Sequence, residues 1–210
     1  ANNVNSVGAA DTAITVGWID DKNTISRSDD VISANSNYGP RTDDDDGDRF
    51  DELKPWVVAP GSNINSAKNG ESSGIIPGSE NNRASDDYES LSGTSMSTPA
   101  VAGLIAIMME IGEERGMEFM SEELIEEGKG IERYEAIRYY LRTASEFRSS
   151  WSIDDTFEGN SWNEKYGFGI IDGGAIAQTM FNLDTNGSGG PGWPRQGHWV
   201  EIESPNAFSW

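Results

Sequence analysis

The run Gly93-Thr94-Ser95-Met96-Ser97-Thr98-Pro99-Ala100-Val101-Ala102-Gly103 sets a serine on a glycine-led turn that opens straight into an apolar segment. Val101, Ala102, Leu104, Ile105, Ala106, Ile107, Met108, Met109 and Ile111 lie on every side of the helix this segment predicts, the pattern of a helix buried within a domain. Pro99 is expected within the first helical turn, where its missing N–H costs little and its fixed φ favours the helix. Ser95 then has two readings. As an N-cap, its hydroxyl would satisfy an orphan N–H of the first turn. As a nucleophile, it would use those same outward-pointing N–H groups and the positive end of the helix dipole to stabilise charge developing on an oxygen beside it.

The surrounding chain reads as a parallel α/β domain. Ile14 to Ile19 and Trp56 to Ala59 are short apolar runs bounded by turn residues, as expected of strands covered on both faces. Residues 20–54 between them are polar, turn-rich and acidic, which predicts a surface excursion. Residues 61–92 are rich in Ser, Asn and Gly and lead to the serine turn; they read equally as a lining for a substrate cleft and as a surface insertion. Arg133 to Arg142 place Tyr134, Ile137, Tyr140 and Leu141 on one helical face. Tyr139, Tyr140 and Trp151 read as packing residues rather than as a cofactor box.

The serine segment closely resembles the motif Gly-Thr-Ser-Met-x-x-Pro-x-Val-Ala-Gly of the subtilisin-like serine proteases, the subtilases. Other segments agree in order. Ala13-Ile14-Thr15-Val16-Gly17-Trp18-Ile19-Asp20 is similar to the family's Ile-Thr-Val-Gly-Ala strand, and Ser36-Asn37-Tyr38-Gly39-Pro40 to its Ser-Asn-x-Gly-Pro turn. Lys54-Pro55-Trp56-Val57-Val58-Ala59-Pro60-Gly61 resembles Lys-Pro-Asp-Val-Val-Ala-Pro-Gly, and Tyr166-Gly167-Phe168-Gly169-Ile170-Ile171-Asp172 resembles Tyr-Gly-x-Gly-x-Val-Asp. Thr143-Ala144 is similar to the family's ending of the helix that follows the serine helix, and Gly173 to Met180 to the last helix of the catalytic domain.

The resemblance implies an α/β fold, a three-layer αβα arrangement around a mainly parallel sheet, with residues 1–183 forming the carboxyl-terminal part of a catalytic domain. Residues 184–210 read as a Gly/Pro-rich linker and the start of a following module. It further implies a serine endopeptidase with an Asp-His-Ser triad of which only Ser95 lies here, the acid and base falling upstream. Gly93, Thr94, Met96 and Pro99 would support the turn and the oxyanion site, and Gly8 and Ala9 would border the pocket for the residue before the cut. The family's oxyanion asparagine follows a glycine; Asn2, Asn3 and Asn5 fit that role poorly. The partners implied are a polypeptide substrate and the amino-terminal part of the same domain, and the fragment alone is expected to be inactive. Two other readings stay open: a pseudo-protease or scaffold that lacks the His and Asp, and a separate chain that docks onto an amino-terminal half.

His198, the only histidine, follows the serine in the order of α/β-hydrolases, but their Gly-x-Ser-x-Gly elbow is absent because Ser97 stands at its fifth position. Its Gly- and Pro-rich surroundings predict a surface loop. Thirty-six acidic residues against fifteen basic ones give a net charge of −21, which argues against nucleic acid as a partner. That acidity has two readings, a surface adapted to salt or an accumulation of cation-binding loops. The run Asp43-Asp44-Asp45-Asp46-Gly47-Asp48, which reads also as a solvated insertion, and the loop carrying Asp184, Asn186 and Ser188 are the calcium candidates, although the twelfth position of the latter is Arg195 where a bidentate Glu belongs. Trp56 replaces an aspartate that lies near a weak cation site in relatives, which puts that site in doubt. No cofactor is expected to be required; calcium remains a candidate structural ion. With no cysteine there is neither a disulfide nor a thiolate nucleophile. No apolar run is expected to reach the length of a membrane span. The resemblance and the acidic surface together point to an extracellular protein of a saline environment.

Overall fold

The computed structural model describes residues 4, 7–42, 47, 49–67, 88–115, 117 and 130–182. Strand β1 (Val16–Asp20) lies at the centre of a three-stranded sheet, antiparallel to β2 (Val31–Ile32) and parallel to β3 (Val57–Pro60). Val16 registers with Val57 and Ile19 with Pro60. On β3's far side, Val58 bridges in parallel to Ile170, with the N–H of Val58 donating to Gly169 O (2.9 Å) and the N–H of Ile171 to Val58 O (3.0 Å). The two predicted strands are therefore present, each displaced by one or two residues. Both faces are covered, as their continuous apolar runs require. Val16, Val57 and Ala59 face one core cluster; Ile19 and Val58 face a second, with Ile170 and the partly buried Ile32, Trp151 and Tyr166.

Three helices share the first cluster: α1 (Thr94–Glu114), α2 (Gly130–Ala144) and α3 (Gly173–Asn182). Helix α1 lies on β1 and β3, and α3 touches both α1 and α2. Residues 61–92, read as a loop, leave and return as an antiparallel ladder, β4 (Ile64–Ala67) with β5 (Tyr88–Leu91). A short hairpin, β6 (Asp155–Phe157) with β7 (Asn160–Trp162), precedes the glycine-containing turn at 166–169. Asp172 caps α3, its Oδ1 accepting from the N–H of Ala175 (2.9 Å). Tyr140 is buried beside Tyr139, and Trp151 stacks on Tyr166 at 3.8 Å between centroids, so the aromatic residues act in packing.

Two expectations about α1 need correction. Only Ser97, Val101, Met108 and Gly112 are buried along it, one line on the wheel, while Ala102, Gly103, Ala106 and Ile107 are exposed. An all-round apolar helix needs neighbours on every side, and the described residues supply them only on the side that faces the sheet and α3. By length and composition, α1 is also long and apolar enough to cross a membrane, because its glycine and small residues extend the run beyond the strictly apolar letters. In the fold it lies along β1 and β3 by the side that carries Val101 and Met108.

The interior holds more charge than the sequence pattern announced. Arg138 and Arg142 of α2 are buried at 3% and 5% exposure. The Arg138 guanidinium lies 3.7 Å from the Phe50 ring centroid and 3.9 Å from that of Trp56, contacts that contribute about 2 kcal/mol when desolvated. Arg142 faces Phe157 at 4.8 Å and pairs with Glu158; burial pushes its guanidinium down to about 10. Arg41 pairs with buried Asp51, and Arg148 reaches Glu146 (3.0 Å) and Asp30 (3.3 Å). Trp56 is 1% exposed, donates from Nε1 to Arg138 O (3.2 Å) and meets Phe168 edge-on. An indole at the core offers no oxygen to a cation.

Candidate active site

The chain brings the end of β3 and the start of α1 together by main-chain hydrogen bonds. Gly61 follows β3 directly, and its N–H donates to Ile19 O (3.0 Å) while its carbonyl accepts from the N–H of Gly93 (2.8 Å). The β4–β5 ladder makes this closure possible by returning Ser92 beside Asn63, whose N–H donates to Ser92 Oγ (2.8 Å). A methyl group at Gly61 would sit 2.3 Å from Ser97 Oγ and 2.7 Å from both Gly93 O and Trp18 Cδ1, so only glycine fits. Ser97, fully buried, donates its hydroxyl to Ala59 O (3.0 Å), tying the first turn of α1 to the strand. Trp18 Nε1 donates to Ser62 Oγ (2.9 Å) and braces the same corner.

Gly93 caps α1 with φ 151° and ψ 172°, a conformation glycine adopts without strain. Its carbonyl accepts from the N–H groups of Met96 (3.0 Å) and Ser97 (3.3 Å). The cap position is thus taken by Gly93 with no side-chain bond, and Ser95 is the second helical residue. Its hydroxyl is not the helix cap, which removes the simpler of its two readings. Ser95 is exposed, and its own N–H is among those a helix leaves without an intrahelical acceptor.

Pro99 lies inside α1, five residues after its first, and not in the first turn. The helix begins at Thr94 because the glycine cap sits one residue before it, which moves Pro99 into the second turn. A proline there removes the N–H that would bond Ser95 O.

A polar cavity of about 120 Å³ adjoins this corner, lined by Val4, Thr15, Val16, Asn35, Asn37, Pro55 and Thr94. Thr94 joins it to the serine turn. Gly8 is tied to the wall because Thr15 Oγ1 donates to Gly8 O at 2.5 Å; Ala9 follows in the turn whose ends are joined by the Ala10 N–H to Val7 O bond (3.4 Å). Asn35 and Asn37 were missed as candidates, although the Ser36-Asn37-Tyr38-Gly39-Pro40 turn was visible as a motif. Its signal was conformational and gave no reason to expect Asn37, or Asn35 just before the turn, to line one cavity with Thr94.

The exposed side of α1 begins with Ser95 and continues through Pro99, Ala102, Gly103, Ala106 and Glu110 at helical spacing. A surface covering those small residues would meet Ser95 at its end. Among the described residues, no group of three or more His, Cys, Asp or Glu side chains could hold a metal ion. Asn2, Asn3, Asn5, Asp43 to Asp46, Asp184, Asn186, Ser188, Arg195 and His198 lie outside the described residues, as does the proposed boundary at 183/184.

The family model for the subtilase family matches residues 1–169. The serine protease AprX of Bacillus subtilis (strain 168) is 36% identical over 105 residues, half of this chain and 22% of that protein. Fervidolysin from Fervidobacterium pennivorans, a keratinolytic enzyme related to subtilisin, superposes with a TM-score of 0.52 at 20% identity, over 82% of this chain and 20% of its own. That likeness shows a shared α/β fold. The chain spans about a fifth of the length of both.

Proposed function

The chain belongs to the subtilase family, and from that premise we propose that it is the nucleophile-bearing part of a serine endopeptidase. One observation carries the reading: Ser95 is exposed on a glycine-capped helix start that two independent ties, Gly61 O to Gly93 and Ser97 to Ala59, hold against the sheet. Ser95 Oγ attacks the substrate carbonyl carbon while a histidine upstream accepts its proton and then returns it to the leaving amine, with an upstream aspartate orienting the imidazole. Water repeats the sequence to release the acyl group. The Ser95 N–H serves as one oxyanion donor and an upstream asparagine as the other. Thr94 supports this site with its hydroxyl, Met96 flanks the leaving group, and Gly8 and Ala9 border the pocket for the residue before the cut.

The bare stripe of α1 supports a partner: the amino-terminal part of the same domain packs on Ala102, Gly103 and Ala106 and so carries its base to Ser95. A fluorophosphonate probe is therefore expected to label the full-length protein, while the 210-residue chain alone stays unlabelled under the same conditions. Ready labelling of the isolated chain would show that it holds its own base and would return His198 to consideration. No labelling of either would favour the pseudo-protease.

The acidic surface supports export into a saline setting. With a net charge of −21, self-repulsion is strong at low salt and screened at high salt. Raising NaCl from about 0.1 to about 2 M is expected to lift Tm by about 2–4 °C for each kcal/mol of repulsion relieved. A flat or falling Tm in calorimetry contradicts the salt-adapted reading.

A further inference from the structure

Lys54 is fully buried, and its Nζ donates to three main-chain carbonyls: Ala10 (3.0 Å), Asp11 (3.1 Å) and Ala13 (2.6 Å). An ammonium has three N–H groups, and here each has an acceptor. All three carbonyls belong to the turn that follows Gly8 and Ala9, and the Ala13 N–H closes that turn on Ala10 O (3.0 Å). The residue after Lys54, Pro55, lines the cavity beside Thr94, and so does Thr15, which holds Gly8. The lysine thus joins one wall of the cavity to the segment that borders it.

We propose that Lys54 is a positioning residue for substrate binding: its ammonium pins the 8–13 segment to the Pro55 wall, so the pocket beside Ser95 has its shape before a polypeptide enters. The proposal rests on the reading of Ser95 as nucleophile. Three carbonyl dipoles converging on one point call for a cation, since a neutral amine has two N–H groups and a lone pair that would face the third oxygen. The charged groups around Nζ are Arg138, Asp51, Arg41 and Asp11. Burial first, then the Arg138 and Arg41 charges, push the ammonium down to about 8, against Asp51 and Asp11, which raise it. Above about pH 8 the pin is therefore expected to weaken. From there to the ordinary lysine value the unfolded chain binds more of this proton than the folded one, so this residue's contribution to stability rises with pH even as the third bond is lost. Substrate affinity is then expected to fall as pH rises through about 8, while this residue's own contribution to stability rises.

The test uses the full-length protein with Lys54→Ala, with and without propylammonium, which restores the three carbons and the ammonium removed. KM for a peptide is expected to rise about tenfold with kcat changed less than about twofold, and propylammonium, but not propanol, should restore it. Amide exchange at Ala10 and Ala13 is expected to quicken in the variant and slow again with propylammonium. Lys54→Met, which fills the space without charge, should show the same rise in KM with no rescue. Unchanged KM and exchange in both variants, or equal rescue by propanol, overturns the proposal. Exchange reports on the pin even in a protein that cleaves nothing, whereas absent fluorophosphonate labelling of the native protein counts against the nucleophile reading alone.

Discussion

Replacing Ser95 with alanine in the full-length protein is expected to lower kcat by about 10⁶-fold, the size of the loss on removing the nucleophile of subtilisin itself, and to abolish fluorophosphonate labelling. The substitution removes one oxygen from an exposed residue that neither caps α1 nor joins the ties at Gly61 and Ser97, so Tm should hardly move. Loss of activity with an unchanged Tm is the signature of a group used in chemistry. Labelling that persists in the alanine variant sinks the assignment.

Gly61→Ala is expected to be the most damaging change away from the serine. Its methyl group would overlap Ser97 Oγ, Gly93 O and the Trp18 ring together. Two of the three neighbours belong to the start of α1, so relief of the overlap means lifting that start from the sheet. Overpacking of this kind costs about 1–3 kcal/mol, and a displacement of about 1 Å at a reacting group costs about 10²-fold in rate. The combined outcome should be a lower Tm by urea or thermal melting and a fall of about 10²-fold in kcat/KM. Gly103→Ala is the control: it ends the serine motif inside α1, a methyl there meets no neighbour among the described residues, and the exchange of an interior helix glycine for alanine should raise stability by about 0.5–1 kcal/mol rather than lower it. Native behaviour of the Gly61 variant would mean that the β3–α1 corner does not hold the serine.

Where a residue's surroundings follow from the letters beside it, the sequence was readable. Strands β1 and β3 are continuous apolar runs between turn residues, and such runs in a parallel pair can only be covered on both faces. The 133–142 face of α2 was legible for the same reason, whereas its ending at Ala144 was expected only from the family resemblance. Long-range facts were not. Nothing local distinguishes Arg138 or Arg142 from a solvated arginine until Phe50, Trp56 and Phe157 arrive from distant segments to receive them. Lys54 looked like part of a motif, and its three acceptors lie more than forty residues away. The exposure of α1 was misread because periodicity tells which sides are apolar and cannot tell whether a neighbour is there to cover them. For Pro99 the difficulty was one of counting, since the helix start depends on a glycine conformation that the letters permit without requiring.

The inward-facing cations set a floor on how acidic such a chain can become. Selection toward a polyanionic exterior can exchange solvent-facing lysines and arginines freely, but Lys54, Arg41, Arg138 and Arg142 each satisfy oxygens or rings that would otherwise be stranded in the interior. Removing one partner of a buried ion pair such as Arg41–Asp51 costs about 3–5 kcal/mol, a large fraction of the stability of a single domain. Any further acidification of such a chain would have to spare these four residues and fall on exposed cations such as Lys22 and Arg49, or proceed by adding carboxylates.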